Sequence, residues 1–247
     1  MRWLSKVAGA LPLNAVCNLT STRAIAVEGV QGDPPRLLFS EQPAILVLID
    51  GDPLYRAVDG TDLQRIVNTK PFIVRDTAGI HYMKVFDGWM EAYTLTGLWS
   101  VAGVPPHGGQ QALRRAVVAG TVDLLDGARP GRPDEAPRLD GSAPPAIFVS
   151  TEPAELIATD GPPRFAPVGD TSLEYVVNTT ANVFREPTDD EWYVLTSGRW
   201  FRAWTTDGPW QFVPNGELPA DIAAIPDRSP VWHGTHAVRL GSGTRPR

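Results

Sequence analysis

The sequence predicts a mainly β protein: two tandem, homologous antiparallel β-rich modules, meanders or small barrels, joined by a helix and a proline-rich linker. Three observations carry that expectation. The chain repeats itself. Its 24 prolines and 23 glycines among 247 residues cut long helices short and favour turns between short strands. The stretch from Trp192 to Val213 alternates and turns as a meander does.

Moved forward by 110 positions, Pro34-Pro35, Ser40, Pro43-Ala44, Asp50-Gly51, Pro53, Val58, Thr61, Leu63, Val67-Asn68-Thr69 and Arg75 land on Pro144-Pro145, Ser150, Pro153-Ala154, Asp160-Gly161, Pro163, Val168, Thr171, Leu173, Val177-Asn178-Thr179 and Arg185. At an offset of 111, Tyr82, Trp89, Ala92, Thr94, Gly97 and Trp99 then meet Tyr193, Trp200, Ala203, Thr205, Gly208 and Trp210. Such self-similarity marks a duplicated structural unit. The shared residues are mainly Pro, Gly, Trp, Tyr, Asn and small apolar types, which build turns and sheet packing rather than acid–base chemistry. The organisation expected is an N-terminal segment at 1–33, a first β-repeat at 34–107, a helix and Pro/Gly-rich linker at 108–143, a second β-repeat at 144–226 and a flexible tail at 227–247.

Each repeat opens with an apolar run, Ala44 to Ile49 or Ala154 to Ala158, closed by Asp-Gly and Pro, the pattern of a strand ended by a turn. Leu54 to Val58 and Leu63 to Asn68, with Arg164 to Val168 and Leu173 to Asn178, read as further strands. Tyr193 to Thr196 and Trp200 to Trp204 flank Ser197-Gly198-Arg199, a hairpin turn in which glycine supplies positive φ. A second turn at Thr205 to Gly208 returns Pro209 to Val213 as a third strand, with Pro209 at an edge or a strand start. Repeat one keeps the plan with Tyr82 to Phe86, a turn at Asp87-Gly88, Trp89 to Tyr93, and Leu98-Trp99. Between the repeats, Leu113, Ala116, Val117, Gly120 and Leu124 share one face of a helix spanning Gln110 to Asp126 and stopped by Gly127. Ala128 to Ser142, with Pro130, Pro133 and Pro137, reads as a flexible linker. Leu218 to Ile225 reads as a short helical turn.

A formal charge of −6 opposes nucleic-acid binding, which relies on clustered Lys and Arg; Arg114-Arg115 and Arg245-Pro246-Arg247 form no groove. The single cysteine, Cys17, excludes an intramolecular disulfide framework and a Cys-based zinc site. No apolar run approaches the roughly 20 residues that cross a bilayer. Early positive charge precedes Val7 to Val16, but Pro12 and Asn14 interrupt the apolar stretch, so a short amphipathic helix is expected rather than a cleaved signal peptide.

The repeated aromatics are the candidate binding residues: Trp89, Tyr93 and Trp99, then Trp200, Trp204 and Trp210, with Arg202 beside them. Period-two alternation places Trp200, Arg202 and Trp204 on one strand face, and flat aromatics next to polar side chains suit sugar rings. The competing role for the same residues is the core of the sheet. His233-Gly234-Thr235-His236 lacks the further ligands of a metal site, and no cofactor is implied. Asp50 and Asp160 read as turn formers whose side chains bond the turn backbone. His81 and His107 have no histidine counterparts, the second repeat offering Glu191 and Leu218 or their neighbours instead, so a histidine shared by both repeats is excluded. No Gly-x-Ser-x-Gly, phosphate-binding loop or His-Glu-x-x-His is present.

Trp192-Tyr193-Val194-Leu195, Ser197-Gly198-Arg199-Trp200-Phe201, Ala203, Gly208-Pro209-Trp210 and Leu218-Pro219-Ala220-Asp221, with Val149-Ser150-Thr151, Asp160-Gly161 and Asp123-Leu124-Leu125, resemble an uncharacterised family of bacterial tandem-repeat proteins. The resemblance covers roughly Pro34 to Pro226. It implies a cell-envelope or secreted location, and a carbohydrate-binding label of family five or twelve sometimes given to such proteins for their Tyr and Trp spacing. The expected function is a non-catalytic, envelope-associated interaction or structural module whose partner is a polysaccharide or another envelope protein. One alternative is polysaccharide binding through exposed Trp and Tyr on the meanders. Another is an enzyme whose site lies between the repeats, where the copies differ.

Overall fold

The computed structural model describes residues 33–127, 136–139 and 143–225. It is mainly β, with 39% strand against 9% helix, and it contains two compact units. Of the described residues, the first unit takes 42–127, 136–139 and 143–156, and the second takes 33–41 and 157–225.

The first unit holds β2 (Ala44–Leu48), β3 (Tyr55–Ala57), β4 (Gln64–Ile66), β5 (Ile73–Arg75), β6 (His81–Val85), β7 (Gly88–Ala92), β8 (Ser100–Val101) and β9 (Ala146–Ser150). Strands β3 to β8 form a six-stranded sheet in chain order, every pair antiparallel. Strands β2 and β9 pair in parallel, from Ala44 opposite Ala146 to Leu48 opposite Ser150. The second unit holds β1 (Arg36–Ser40), β11 (Phe165–Pro167), β12 (Glu174–Val176), β13 (Asn182–Glu186), β14 (Glu191–Thr196), β15 (Arg199–Ala203) and β16 (Gln211–Val213); the boundary falls within β10 (Ala154–Ala158). Strands β11 to β16 repeat the six-stranded antiparallel meander, and β1 lies beside β10 in a two-stranded sheet.

The Trp192–Val213 meander is therefore present, with Pro209 preceding the edge strand β16. Ser197 (φ 50°) and Gly198 (φ 73°) make its two-residue turn. In the first unit the corresponding turn is Phe86-Asp87 rather than Asp87-Gly88, because Gly88 already pairs with Val85. A Cβ on Gly88 would come within 2.8 Å of Leu139 Cδ1, so this glycine serves packing. Strands β1, β5, β9 and β13 add to those expected from the sequence, and the edge strand expected at Leu98-Trp99 falls instead at Ser100–Val101; β5 has three residues, too few to display an alternation.

The helix α1 (Gly109–Val118) ends earlier than the apolar pattern implies. Gly120 adopts φ 63°, its N–H bonds the Val117 carbonyl, and the Thr121 N–H bonds the Ala116 carbonyl, the paired bonds that stop a helix at a left-handed residue. Arg65 reinforces the stop by donating to Thr121 Oγ1 (2.8 Å) and to its carbonyl (2.6 Å). Leu113 and Ala116 are buried as expected, Ala112 is buried besides, and Val117 and Leu124 are exposed. Arg115 donates to the Asp59 carbonyl at 2.6 Å. Most of the predicted linker lies outside the described residues. Of it, Leu139 is buried in the first unit's core and its N–H bonds Asp87 Oδ1 at 3.0 Å, with Arg138 3.2 Å from Asp87. A second helix, α2 (Ala220–Ala224), follows Pro219.

Sequence repeat and compact unit are out of phase by one strand. The 110-residue offset equates β1 with β9 and β2 with β10. Yet β9 supplies Ile147 and Val149 to the first unit's core, while β1 supplies Leu37 and Phe39 to the second.

The duplicated Asn-Thr residues join the two sheets within each unit. Asn68 Nδ2 donates to the carbonyls of Asp50 and Asp52 (both 2.8 Å), and its Oδ1 accepts from the Leu54 N–H (2.9 Å). Asn178 repeats this with Asp160 and Pro162 (both 2.9 Å) and Arg164 (2.8 Å). Thr69 and Thr179 donate to the Leu48 and Ala158 carbonyls at 2.7 and 2.8 Å. The turn is thus held by the asparagine side chain, and Asp50 and Asp160 take part through their backbone carbonyls instead of the side-chain bonds expected. Gly51 (φ 72°) and Gly161 (φ 75°) adopt the left-handed conformation the turn requires. Replacing Asn68 or Asn178 by Ala removes three hydrogen bonds, and each variant is expected to lose about 1–2 kcal/mol. Urea titration checks this as a lower midpoint at unchanged slope.

Candidate functional site

The seven predicted binding residues separate into three groups by exposure. Trp200 (7% exposed), Trp210 (8%) and Trp89 (5%) are core residues. Trp200 packs 5.6 Å from Phe184, Trp210 stacks on Phe39 at 5.8 Å and 9°, and Trp89 meets Phe72 edge-on at 6.0 Å. Trp99 is half-buried and donates from Nε1 to the Leu95 carbonyl (3.0 Å), as Trp210 does to that of Thr206 (3.3 Å). Arg202 is half-exposed, 3.8 Å from Glu191. Alternation along β15 does not create a solvent-facing aromatic row, because Trp200 on one face and Phe201 and Ala203 on the other are all buried.

Tyr93 and Trp204 remain, 85% and 65% exposed. They occupy the same position in the two repeats, each just beyond the strand that pairs with the edge strand of its sheet. The loops that follow are closed alike, by Gly97 N–H to the Thr94 carbonyl (3.1 Å) and Gly208 N–H to the Thr205 carbonyl (3.0 Å). In the chain after Tyr93, Leu98, Val101 and Val104 are also exposed; after Trp204, Thr205 and Asp207 are.

A second constellation was only partly visible in the sequence. Arg75 lies 3.9 Å over the Tyr55 ring and donates to Gln64 Oε1 at 2.6 Å; Arg185 lies 4.0 Å over Phe165 and donates to Glu174 Oε2 at 2.8 Å. The two braces differ in what adjoins the ring. Strand register sets His81 opposite Arg75 and Trp192 opposite Arg185, so Trp192 holds the place of His81. His81 is 6% exposed and its Nε2 is 2.8 Å from the Tyr55 hydroxyl. Its Nδ1 is buried against the Ala92–Tyr93 backbone without a well-formed hydrogen bond. Burial first, then the positive charge of Arg75, holds the imidazole below its ordinary pKa, against weaker raising effects from the backbone and Asp76. In the second unit Phe165 and Trp192 meet edge-on at 5.7 Å, so the Tyr–His chemistry is not shared. The signal in the sequence was the unmatched His81; its partner Tyr55 gave none.

A carboxylate pair meets in the second unit. Glu186 and Asp221 both approach Ser172 Oγ, at 2.5 and 2.6 Å, and Asp221 also accepts the Ser172 N–H at 2.7 Å. Hydrogen bonding to Ser172 holds both carboxyls below the usual range, whereas a general acid needs the opposite shift. The arrangement ties α2 to the start of β12. Among the described residues no group of three or more His, Cys, Asp or Glu side chains gathers as a metal site; His233, His236 and Cys17 lie outside them. No helix among the described residues is long and apolar enough to cross a membrane. Comparison with protein-family models, curated proteins and solved structures returned no match.

Because the folded pKa of His81 lies below its unfolded value of about 6.5, the unfolded state takes up its proton first. The associated stability is complete above that value and falls as pH drops towards the folded pKa. Urea midpoints measured from about pH 7 to about pH 5 should decline less in Tyr55→Phe/His81→Trp, which transplants the second unit's pair, than in the parent. Tyr55→Phe alone should cost about 1 kcal/mol at neutral pH.

Proposed function

We propose that the chain is a non-catalytic, envelope-associated interaction protein whose two β modules engage their target through Tyr93 and Trp204. One observation carries this reading: at a duplicated position, a large aromatic is kept exposed in both units, while the other repeated aromatics are wholly or partly buried. An exposed ring on a hydrogen-bonded loop offers a flat apolar surface at low conformational cost. The absence of a duplicated reactive group supports a binding role, and envelope association rests on the resemblance to bacterial tandem-repeat proteins.

Polysaccharide is the second reading, favoured by Trp204. Thr205 and Asp207, which follow it in the loop, are also exposed, and sugar recognition combines stacking on a ring with polar groups at its edge.

The chain is expected to co-sediment with isolated bacterial cell-wall sacculi, and Tyr93→Ala/Trp204→Ala is expected to reduce retention at least tenfold. Equal retention of both forms would remove these rings from the contact. Retention should be compared at matched stability: the exposed substitutions should each move stability by less than about 0.5 kcal/mol, whereas Trp200→Ala should cost about 3–5 kcal/mol.

A further inference from the structure

We propose that the place of β1 in the second unit is an exchangeable strand-docking site, and that it also accepts β1 from a second copy of this chain. The inference is independent of the binding surface at Tyr93 and Trp204.

The first argument is the phase shift between sequence and structure. β1 is the opening strand of repeat one, yet Leu37 is buried in the second unit with Ile157, and Phe39 stacks on Trp210 and meets Trp192 edge-on at 6.4 Å. The Ser40 carbonyl accepts from the Thr159 N–H at 2.8 Å, and the Glu41 carbonyl from the Gly161 N–H at 3.0 Å. Docking therefore uses backbone bonds from an extended segment and two apolar side chains at i and i+2, the terms of β-strand addition.

The second argument is connectivity. The second unit's own continuous run begins at Ile157, so without the 33–41 segment it lacks Leu37 and Phe39 from its core. Only Glu41, Gln42 and Pro43 separate β1 from β2, which belongs to the first unit. A short connector between elements of different units is the setting in which identical elements exchange between copies. If two chains trade β1 reciprocally, each second unit regains the same two carbonyl bonds, the same Leu37 burial and the same Phe39 stack. The difference left is the entropy of association, which concentration offsets.

The test uses the full chain with Leu37→Asp/Phe39→Asp, which spoils the resident strand and leaves its site, together with the milder Phe39→Ala in case the first does not fold. A fluorescein-labelled synthetic peptide of residues 33–41 is titrated into each and followed by anisotropy. Saturable binding at least tenfold tighter to a strand-impaired chain than to the parent, lost when the peptide carries the same two Asp substitutions, is the expected result. The parent chain is also unfolded and refolded over a concentration series, then sized by light scattering. A dimer that grows with refolding concentration, and that Leu37→Asp/Phe39→Asp or Phe39→Ala diminishes, is expected. No peptide binding to either impaired chain, or a parent that stays monomeric at every refolding concentration, overturns the proposal.

Discussion

One asparagine per unit carries the joint on which both sheets depend. Its carboxamide satisfies three backbone groups of the turn that leads from the two-stranded sheet into the meander. Only an amide side chain supplies two donors and an acceptor in one plane; a carboxylate offers no donor. The adjoining threonine bonds the strand before the turn, and isolated bridges link Ile49 to Thr69 and Thr159 to Thr179. Substituting either member of the pair leaves backbone groups to find water or strain, which explains in physical terms why Asp-Gly and Val-Asn-Thr survive together in both copies.

Once the joint fixes two sheets in one unit, the fate of the aromatics follows. In each meander the strand next to the edge places its indole within a core cluster of its own unit. Trp89 and Trp200 accordingly sit in the core, at equivalent positions against Phe72 and Phe184. Trp99 and Trp210 close the last loop, their indole N–H groups satisfying the carbonyl four residues earlier. Tyr93 and Trp204 stand one residue past their strands, where the sheet no longer covers them.

The copies keep the joint and diverge around it. The arginine brace persists, but its acceptor changes from Gln64 to Glu174 and its ring from Tyr55 to Phe165. Next to the ring an imidazole in the first unit gives way to an indole in the second. The core residue Ile45 corresponds to Glu155, whose carboxyl is pushed above its usual range by burial. Backbone geometry is thus retained through polar groups that are duplicated, while side-chain chemistry drifts where packing tolerates it. A titrating group confined to one unit makes the two copies unequal in acid although they share a fold.

Duplication, strand-rich character, the third strand of the Trp192–Val213 meander and its Ser197-Gly198 turn were legible in the sequence, because each depends on local backbone preference or on alternation over a few residues. The helix was legible in kind but not in length: its apolar spacing continued towards Leu124, while a left-handed Gly120 and the Arg65 contacts ended it near Ala119. Which tryptophans face solvent was not legible, since alternation assigns a residue to a face without saying whether that face is covered. Nor was the pairing of Tyr55 with His81, which are 26 residues apart. The sequence by itself determined that two like modules are built from turns and short strands. Only the tertiary structure decided that β1 completes the second unit and β9 the first, because a strand's partner is chosen by non-local burial and backbone pairing, not by its place in the repeat.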